Sequence, residues 1–121
     1  MQPTWEDVYS AALARVTHAG QAVPFYQEPA DATNETFITF NDALAQMTLP
    51  ASNVPHRVRH MVQVHVYTLD ASILTQLAND VVDSLMASGI LIRSWGPRIY
   101  DAHTGYTHYV ITTYYIEKLR G

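Results

Sequence analysis

Residues 57–67, with the sequence RVRHMVQVHVY, form an eleven-residue segment of alternating side-chain character. Val58, Val62, Val64 and Val66 lie on one side of this alternation, and only His60 interrupts them. The other side carries Arg57, Arg59, Met61, Gln63, His65 and Tyr67. A period of two predicts a β-strand whose valine side meets the core and whose other side meets solvent or a neighbouring molecule.

The residues after this strand predict a helix and then two paired strands. Asp70 or Ser72 can cap the helix, and Gly89 can end it. Its apolar stripe consists of Ile73, Leu74, Leu77, Val81 and Leu85. Strands are predicted at 90–100 and 106–117, joined by the turn 101–105, with Gly96-Pro97 as a bulge in the first.

The last predicted strand, 106–117, is apolar or aromatic on both of its faces. In an antiparallel sheet, such a strand has something packed on each side. We expect the two helices on one side and a second subunit on the other.

The residues before 57 predict a first helix, two short strands and a long connection. Thr4 and Asp7 form a capping-box pattern, and Gly20 can end the helix. Residues 22–26 suit an edge strand because they contain a proline, and 36–40 form a compact β-type run.

Residues 41–55 match no clean period and are predicted to form a projecting loop or arm that gains order against a partner. The apolar residues that favour this docking role are Leu44, Met47, Leu49 and Val54. A loop folded over its own core is an equal alternative.

Length and composition favour one small domain over residues 1–121. The expected fold class is α+β, a mostly antiparallel sheet with two main helices packed on one face, in the order α-β-β-β-α-β-β. Only 15% of the residues are charged and eight are Tyr, a composition closer to that of interfaces than of free surfaces. This favours oligomerisation, although an uncharged monomer has a similar composition.

Charge and composition argue against several classes of protein. The net charge is −4 and no basic run exceeds Arg57-Val-Arg59, so we expect no nucleic-acid binding or sequence readout. The chain has no cysteine for disulfides or thiolate metal sites. The N-terminus does not resemble a signal peptide, and no apolar run is long enough to span a bilayer. The expectation is a soluble protein made in the cytoplasm, with no membrane partner.

Candidate catalytic and metal-binding residues are mostly histidines. His56, His60 and His65 lie close together, but no Asp or Glu occurs between Asp42 and Asp70, so partly exposed strand histidines are the simpler interpretation. His103 suits a turn, and His108 suits a hydrogen-bonded position in the sheet. No catalytic motif is present. We therefore expect neither an enzyme nor a bound cofactor or metal. The tyrosines of the last strand resemble a base-stacking platform, but with no positive groove beside them core and interface packing is preferred.

Five segments together resemble the tail-terminator, or tail-completion, proteins of long-tailed (siphovirus-type) bacteriophages. They are Val8–Leu13, Val23–Tyr26, Thr36–Phe40, Val62–Tyr67 and the closing Ile99–Ile111, an acidic turn followed by Tyr, His and β-branched residues. The similarity spans nearly the whole chain and consists of element order and weak landmarks.

The resemblance implies a homo-oligomeric ring, typically of about six subunits, on the head-proximal end of the tail tube. Such a ring caps the last tube ring, stops polymerisation and joins the tail tube protein to the head connector. The location implied is the virion tail, with assembly in the host cytoplasm. For the subunit contact we expect the outer residues of 57–67 together with Tyr109, Ile111 and Tyr115. For docking we expect the loop 41–55, with His103 in the 101–105 turn second.

Two alternatives remain. A small dimeric α+β barrel or cone-shaped ligand-binding enzyme needs His65 or His108 facing a cavity with a carboxylate nearby. A head–tail connector or stopper protein shares the ring and differs in its docking partner.

Overall fold

The computed structural model describes residues 4–27, 34–48 and 57–118. The helices are α1 (Trp5–Ala14) and α2 (Leu74–Ala87), the latter preceded by a 3₁₀ turn at Ala71–Ile73. The strands are β1 (Thr17–His18), β2 (Gln21–Ala22), β3 (Phe25–Gln27), β4 (Thr36–Thr48), β5 (Arg57–Thr68), β6 (Leu91–Tyr100) and β7 (Thr107–Lys118). A mixed α+β fold with mainly antiparallel pairing is therefore confirmed, with more strands than predicted.

The main sheet has the order β3-β4-β5-β7-β6. All neighbouring strands are antiparallel except β3 and β4, which run parallel. The long β4–β5 hairpin and β7 form its centre, and β6 is an edge.

The first helix begins as predicted and ends earlier. The Thr4 hydroxyl accepts from the Asp7 amide, and the Asp7 carboxylate accepts from the Thr4 amide, which completes the capping box. The helix ends at Ala14 rather than at Gly20, which instead has φ +78° in the turn of the β1–β2 hairpin. That positive φ suits glycine because it has no Cβ to clash with the backbone.

The predicted loop at 41–55 is wrong for residues 41–48, which continue β4 and pair with β5. The register shifts between Asp42 and Leu44, so one extra residue breaks the period of two that a strand normally gives to its sequence. This bulge explains why the sequence pattern did not reveal the strand. Residues 49–55 lie outside the described residues.

Both helices contribute to one hydrophobic core against the valine side of β5. Val62, Val64 and Val66 are fully buried there, as the alternation predicted. The helices add Tyr9, Leu13, Leu74, Leu77, Val81 and Leu85 to the same cluster. The remaining side of the sheet, here called the open face, lies opposite this core.

Candidate assembly and binding surfaces

The open face is built from alternate residues of β5 and β7. Strand register places the six outer residues of β5 directly opposite Lys118, Ile116, Tyr114, Thr112, Val110 and His108. Directly opposed residues of an antiparallel pair share a face. Arg57, Arg59, Met61, Gln63, His65 and Tyr67 therefore lie together, as the sequence predicted.

The other residues predicted at the subunit contact lie on the opposite side of the sheet. Tyr109, Ile111 and Tyr115 oppose Val66, Val64 and His60, so they face the helices. Ile111 has no exposed surface, and the two tyrosines pack partly buried against the core. The prediction that Ile111 contacts a neighbouring subunit is therefore wrong. Because β7 is apolar on both faces, its sequence did not indicate which face meets the core.

One end of the open face is covered by aromatic rings. Phe37 stacks on Tyr67 with ring centroids 4.7 Å apart, and Tyr106 and Tyr26 approach it edge-on at 5.4 and 6.2 Å. The Tyr106 hydroxyl donates to the Asn34 carbonyl, and the Tyr26 hydroxyl donates to the Asn34 side-chain oxygen. Phe37 is consequently only 5% exposed, although the two described helices pack on the other side of the sheet.

Two histidines adjoin these aromatic rings. The rings of His65 and His108 have centroids 5.5 Å apart. Burial lowers the pKa of His65, and the neighbouring His108 lowers it further. Burial also lowers the pKa of His108, against the opposing effect of Asp101. The His65 Nδ1 atom is buried without a hydrogen-bond partner. Both shifts favour neutral rings at neutral pH.

The opposite end of the open face is basic. Arg57 lies directly across from Lys118, and the Arg59 and Arg93 guanidinium carbons lie 4.8 and 5.8 Å from the centroid of the Tyr114 ring. The Arg93 guanidinium also donates to the Tyr114 hydroxyl at 3.0 Å. Within the described strands, no Asp or Glu occupies an open-face position. Folding therefore brings together cationic residues from positions 57 to 118 that are far apart in the sequence.

A buried polar cluster lies on the helix-covered side of the sheet. His60 Nδ1 lies 2.8 Å from Asp42 Oδ2, and His60 Nε2 lies 3.0 Å from Glu117 Oε1. The Trp5 ring stacks on His60 at 5.1 Å, and the Trp5 amide donates to Glu117.

This cluster fastens α1 to the hairpin and to β7 rather than forming a metal centre. His60 is 6% exposed, so it is not the partly exposed strand histidine that the sequence suggested. Its carboxylate partners come from β4 and β7, which local sequence did not bring together. Among the described residues, no three His, Cys, Asp or Glu side chains are arranged to hold a metal ion. His56 lies outside the described residues.

The edge strand β6 exposes large apolar side chains that sequence reasoning did not single out. Leu91, Trp95, Ile99 and Tyr100 are 58%, 53%, 40% and 65% exposed. Leu91 and Ile99 lie on the open face, and Trp95 and Tyr100 lie on the helix side. These side chains are exposed because β6 is an edge strand. The sequence pattern did not indicate the strand order, so this exposure could not be predicted.

The predicted docking residues are separated. His103 is exposed in the 101–105 turn, where its amide donates to Asp101 at 2.9 Å and so lowers the pKa of that carboxyl. Leu44 and Met47 belong to β4, in its half beyond the bulge. Leu49 and Val54 lie outside the described residues.

Comparisons with protein-family models and with curated proteins found no match for this chain. Neither of the described helices is long and apolar enough to cross a membrane.

Proposed function

We propose that this chain is a structural assembly protein of the tail-terminator type. Copies form a ring that ends the tail tube, stops its polymerisation and joins it to the head connector. The observation that carries the self-assembly is β6, an edge strand with four large apolar side chains exposed on both of its faces. Monomeric proteins rarely leave large apolar side chains exposed together, so such a patch marks an interaction site.

The shape of β6 favours contact through side chains rather than through a continued backbone ladder. Its register against β7 shifts twice, between Ile92 and Ser94 and between Trp95 and Arg98, and Pro97 lacks an amide proton. These features interrupt regular strand pairing. The apolar side chains then pack on a different patch of the next copy, and such a heterologous contact produces a ring when the rotation closes.

The open face is the second surface in this proposal. Its β5 residues Arg57, Arg59, Met61, Gln63, His65 and Tyr67 lie side by side, and the two described helices pack on the other side of the sheet. Leu91 and Ile99 connect this face to the apolar edge. The ring contact therefore extends from β6 onto the open face.

Docking to the tail tube or the connector is assigned to the far end of the β4–β5 hairpin and to His103. Beyond the bulge, residues 44–48 of β4 pair with β5, whereas the described residues of β3 pair with residues 38–40. The hairpin thus continues past β3. The proposed location is the head-proximal end of the virion tail, after assembly in the host cytoplasm. A connector or stopper role differs only in which partner this end meets.

The ligand-binding enzyme finds less support in the geometry. It requires a histidine and a carboxylate facing a shared cavity, but His65 adjoins His108 and the aromatic rings of the open face. Asp101 acts on His108 from an exposed turn. A depression of about 260 Å³ is lined instead by residues 18, 21–24 and 34–36.

Native mass spectrometry over a concentration series tests the ring. We expect about six copies for the wild-type chain. Trp95→Asp should remain monomeric because it places a charge in the apolar contact. Met86→Asp is the matched control, since Met86 is a similarly exposed apolar residue (59%) that belongs to α2 and not to β6.

If the free protein is monomeric, it is incubated with purified tail tubes and examined by electron microscopy. A ring on the tube end, lost with Trp95→Asp, supports the proposal. A wild-type chain that stays monomeric and leaves tube ends bare contradicts it, and so does a stable dimer with a bound small molecule.

A further inference from the structure

Two neighbouring imidazoles lie at the aromatic end of the open face. His65 of β5 and His108 of β7 have ring centroids 5.5 Å apart, and the centroid of the Tyr67 ring lies 6.0 and 4.8 Å from theirs. The His65 Nδ1 atom is shielded from water and makes no hydrogen bond within the described part of the chain. An unpartnered buried nitrogen costs stability, so packing of the fold does not account for a histidine at this position.

We propose that His65 and His108 make ring assembly sensitive to pH, so that copies join while both imidazoles are neutral and separate when the imidazoles take up protons. This inference rests on the proposed function, because it takes the open face as part of the ring contact. It goes beyond that function by giving two residues of the contact a regulatory role.

The side chains around the pair offer little to stabilise a positive charge. Thr39 of β4 stands across from His65, and Ile99 of β6 stands across from His108. Burial raises the pKa of Tyr67, so its hydroxyl stays neutral. Two imidazolium rings at this separation would also repel each other. Protonation of both rings is therefore costly on this face.

The nearest charges do not offset this cost. Asp101 raises the pKa of His108, but burial lowers that pKa more strongly. Burial also lowers the pKa of His65, and His108 lowers it further. The Tyr106 hydroxyl beside them donates to a backbone carbonyl. Arg59 is six residues from His65 along β5, about 20 Å, which exceeds the screening length of about 10 Å at 0.1 M salt.

The sign of the pH effect follows from what assembly adds. Both histidines are half-buried in the single chain, so their rings still reach water. A neighbouring copy packed over them removes that water and disfavours the charged form further. The histidine pKa is therefore lower in the ring than in the monomer.

Assembly is strongest well above the ordinary histidine pKa of 6.5, where both rings are neutral in either state. It weakens as the pH falls below that value, because the monomer takes up protons more readily than the ring. If assembly lowers the pKa of each histidine by about one unit, the association constant of each contact falls by up to about 100-fold in acid.

Sedimentation velocity of the full chain between about pH 8 and pH 5.5 tests this proposal. We expect a ring at the upper pH, dissociation at the lower pH, and recovery when the pH is restored. Circular dichroism at each pH verifies that the chain remains folded. If rings form only on tail tubes, electron microscopy of tube ends at the same two pH values makes the comparison.

The decisive variant combines His65→Gln with His108→Gln, which removes both proton-accepting groups and keeps polar side chains. We expect its ring to persist at about pH 5.5. His108→Lys places a fixed charge in the contact, so it should stay monomeric at about pH 8 while folded. His18→Gln is the control, since His18 is exposed in β1, outside the proposed contact, and should keep the wild-type pH response.

The outcomes separate this inference from the proposed function. A wild-type ring that is equally stable at both pH values overturns the inference and leaves the ring intact. A double variant that dissociates in acid as the wild-type chain does overturns it too, because another group would then be responsible. Normal assembly of His108→Lys would also contradict it. A wild-type chain that forms no ring at about pH 8, free or on tail tubes, contradicts the proposed function and this inference with it.

Discussion

The two faces of the main sheet carry different chemistry although they are made by the same strands. On the helix-covered face, β5 presents three fully buried valines, and its one histidine, His60, has both ring nitrogens bonded. On the open face, the same strand presents arginine, methionine, glutamine, histidine and tyrosine. The first face stabilises the fold. The second, joined to the exposed edge β6, is the surface available for partners.

This difference separates stability from assembly. Substitutions on the covered face should change the free energy of unfolding, and matched substitutions on the open face should leave it almost unchanged. The predictions below use pairs of residues from the two faces, beginning with the largest expected effect.

Ile111 and Ile116 lie in the same strand on opposite faces. Ile111 is fully buried, whereas Ile116 is 43% exposed. We expect Ile111→Ala to lower the free energy of unfolding by about 2–5 kcal/mol, because it leaves a cavity in the core. Ile116→Ala should change it by about 0.5 kcal/mol or less. Urea denaturation measures both, and equal losses would mean that the faces are wrongly assigned.

His60 and His65 form the corresponding polar pair in β5. His60→Leu leaves the Asp42 and Glu117 carboxylates, whose side chains are 24% and 19% exposed, without their partner. We expect a loss of about 3 kcal/mol, the lower end for a broken buried pair, because water reaches both carboxylates. His65→Leu should be nearly neutral, since it removes a buried nitrogen that has no partner. The same urea measurement decides, and a larger loss for His65→Leu would contradict the comparison.

Tyr9 and Tyr26 compare a buried and an exposed hydroxyl. The Tyr9 hydroxyl bonds to Thr113 inside the core, where burial raises its pKa, and the Tyr26 hydroxyl donates to Asn34 at the surface. Tyr9→Phe should cost about 1 kcal/mol of unfolding free energy. Tyr26→Phe should cost less, as water can replace its partner. Thermal unfolding of both variants provides the test, and the reverse order would refute it.

The smallest effect is a pH dependence that arises on the open face. His65 and His108 have a pKa below the ordinary 6.5, so below that pH the unfolded chain takes up these protons more readily than the folded chain. Their contribution therefore reduces stability as the pH falls from 6.5 towards the lower folded-state pKa. Combining His65→Gln with His108→Gln should flatten this part of the wild-type profile. If the stability of the double variant falls with pH as steeply as that of the wild-type chain across this range, the assignment is contradicted.

The sequence predicted the covered face better than the open face, for a physical reason. Burial of one strand face leaves a period of two, so β5 and the inward position of Val62 could be predicted. The capping box at Thr4 and the stop at Gly89 depend on local chemistry and were equally accessible. The continuation of β4 past residue 40 was missed because a bulge breaks its period.

The properties of the open face depend on which strands are neighbours. Arg59 and Arg93 are far apart in sequence, and only the order β5-β7-β6 brings both to Tyr114. Likewise, Ile111 could be assigned to the core only from its position opposite Val64. Strand register is a tertiary property, so local patterns did not contain these contacts.

The division of the sheet into two faces is tested most directly with single cysteines, since the chain contains none. Val62→Cys and Gln63→Cys place a thiol at adjacent positions of β5, one fully buried and one on the open face. The account predicts that the thiol at 63 reacts with a maleimide at least roughly 100-fold faster than that at 62 in the folded monomer, and that assembly protects position 63. Equal reaction rates in the folded protein, or a thiol at 63 that stays fully reactive in the assembled protein, would contradict it.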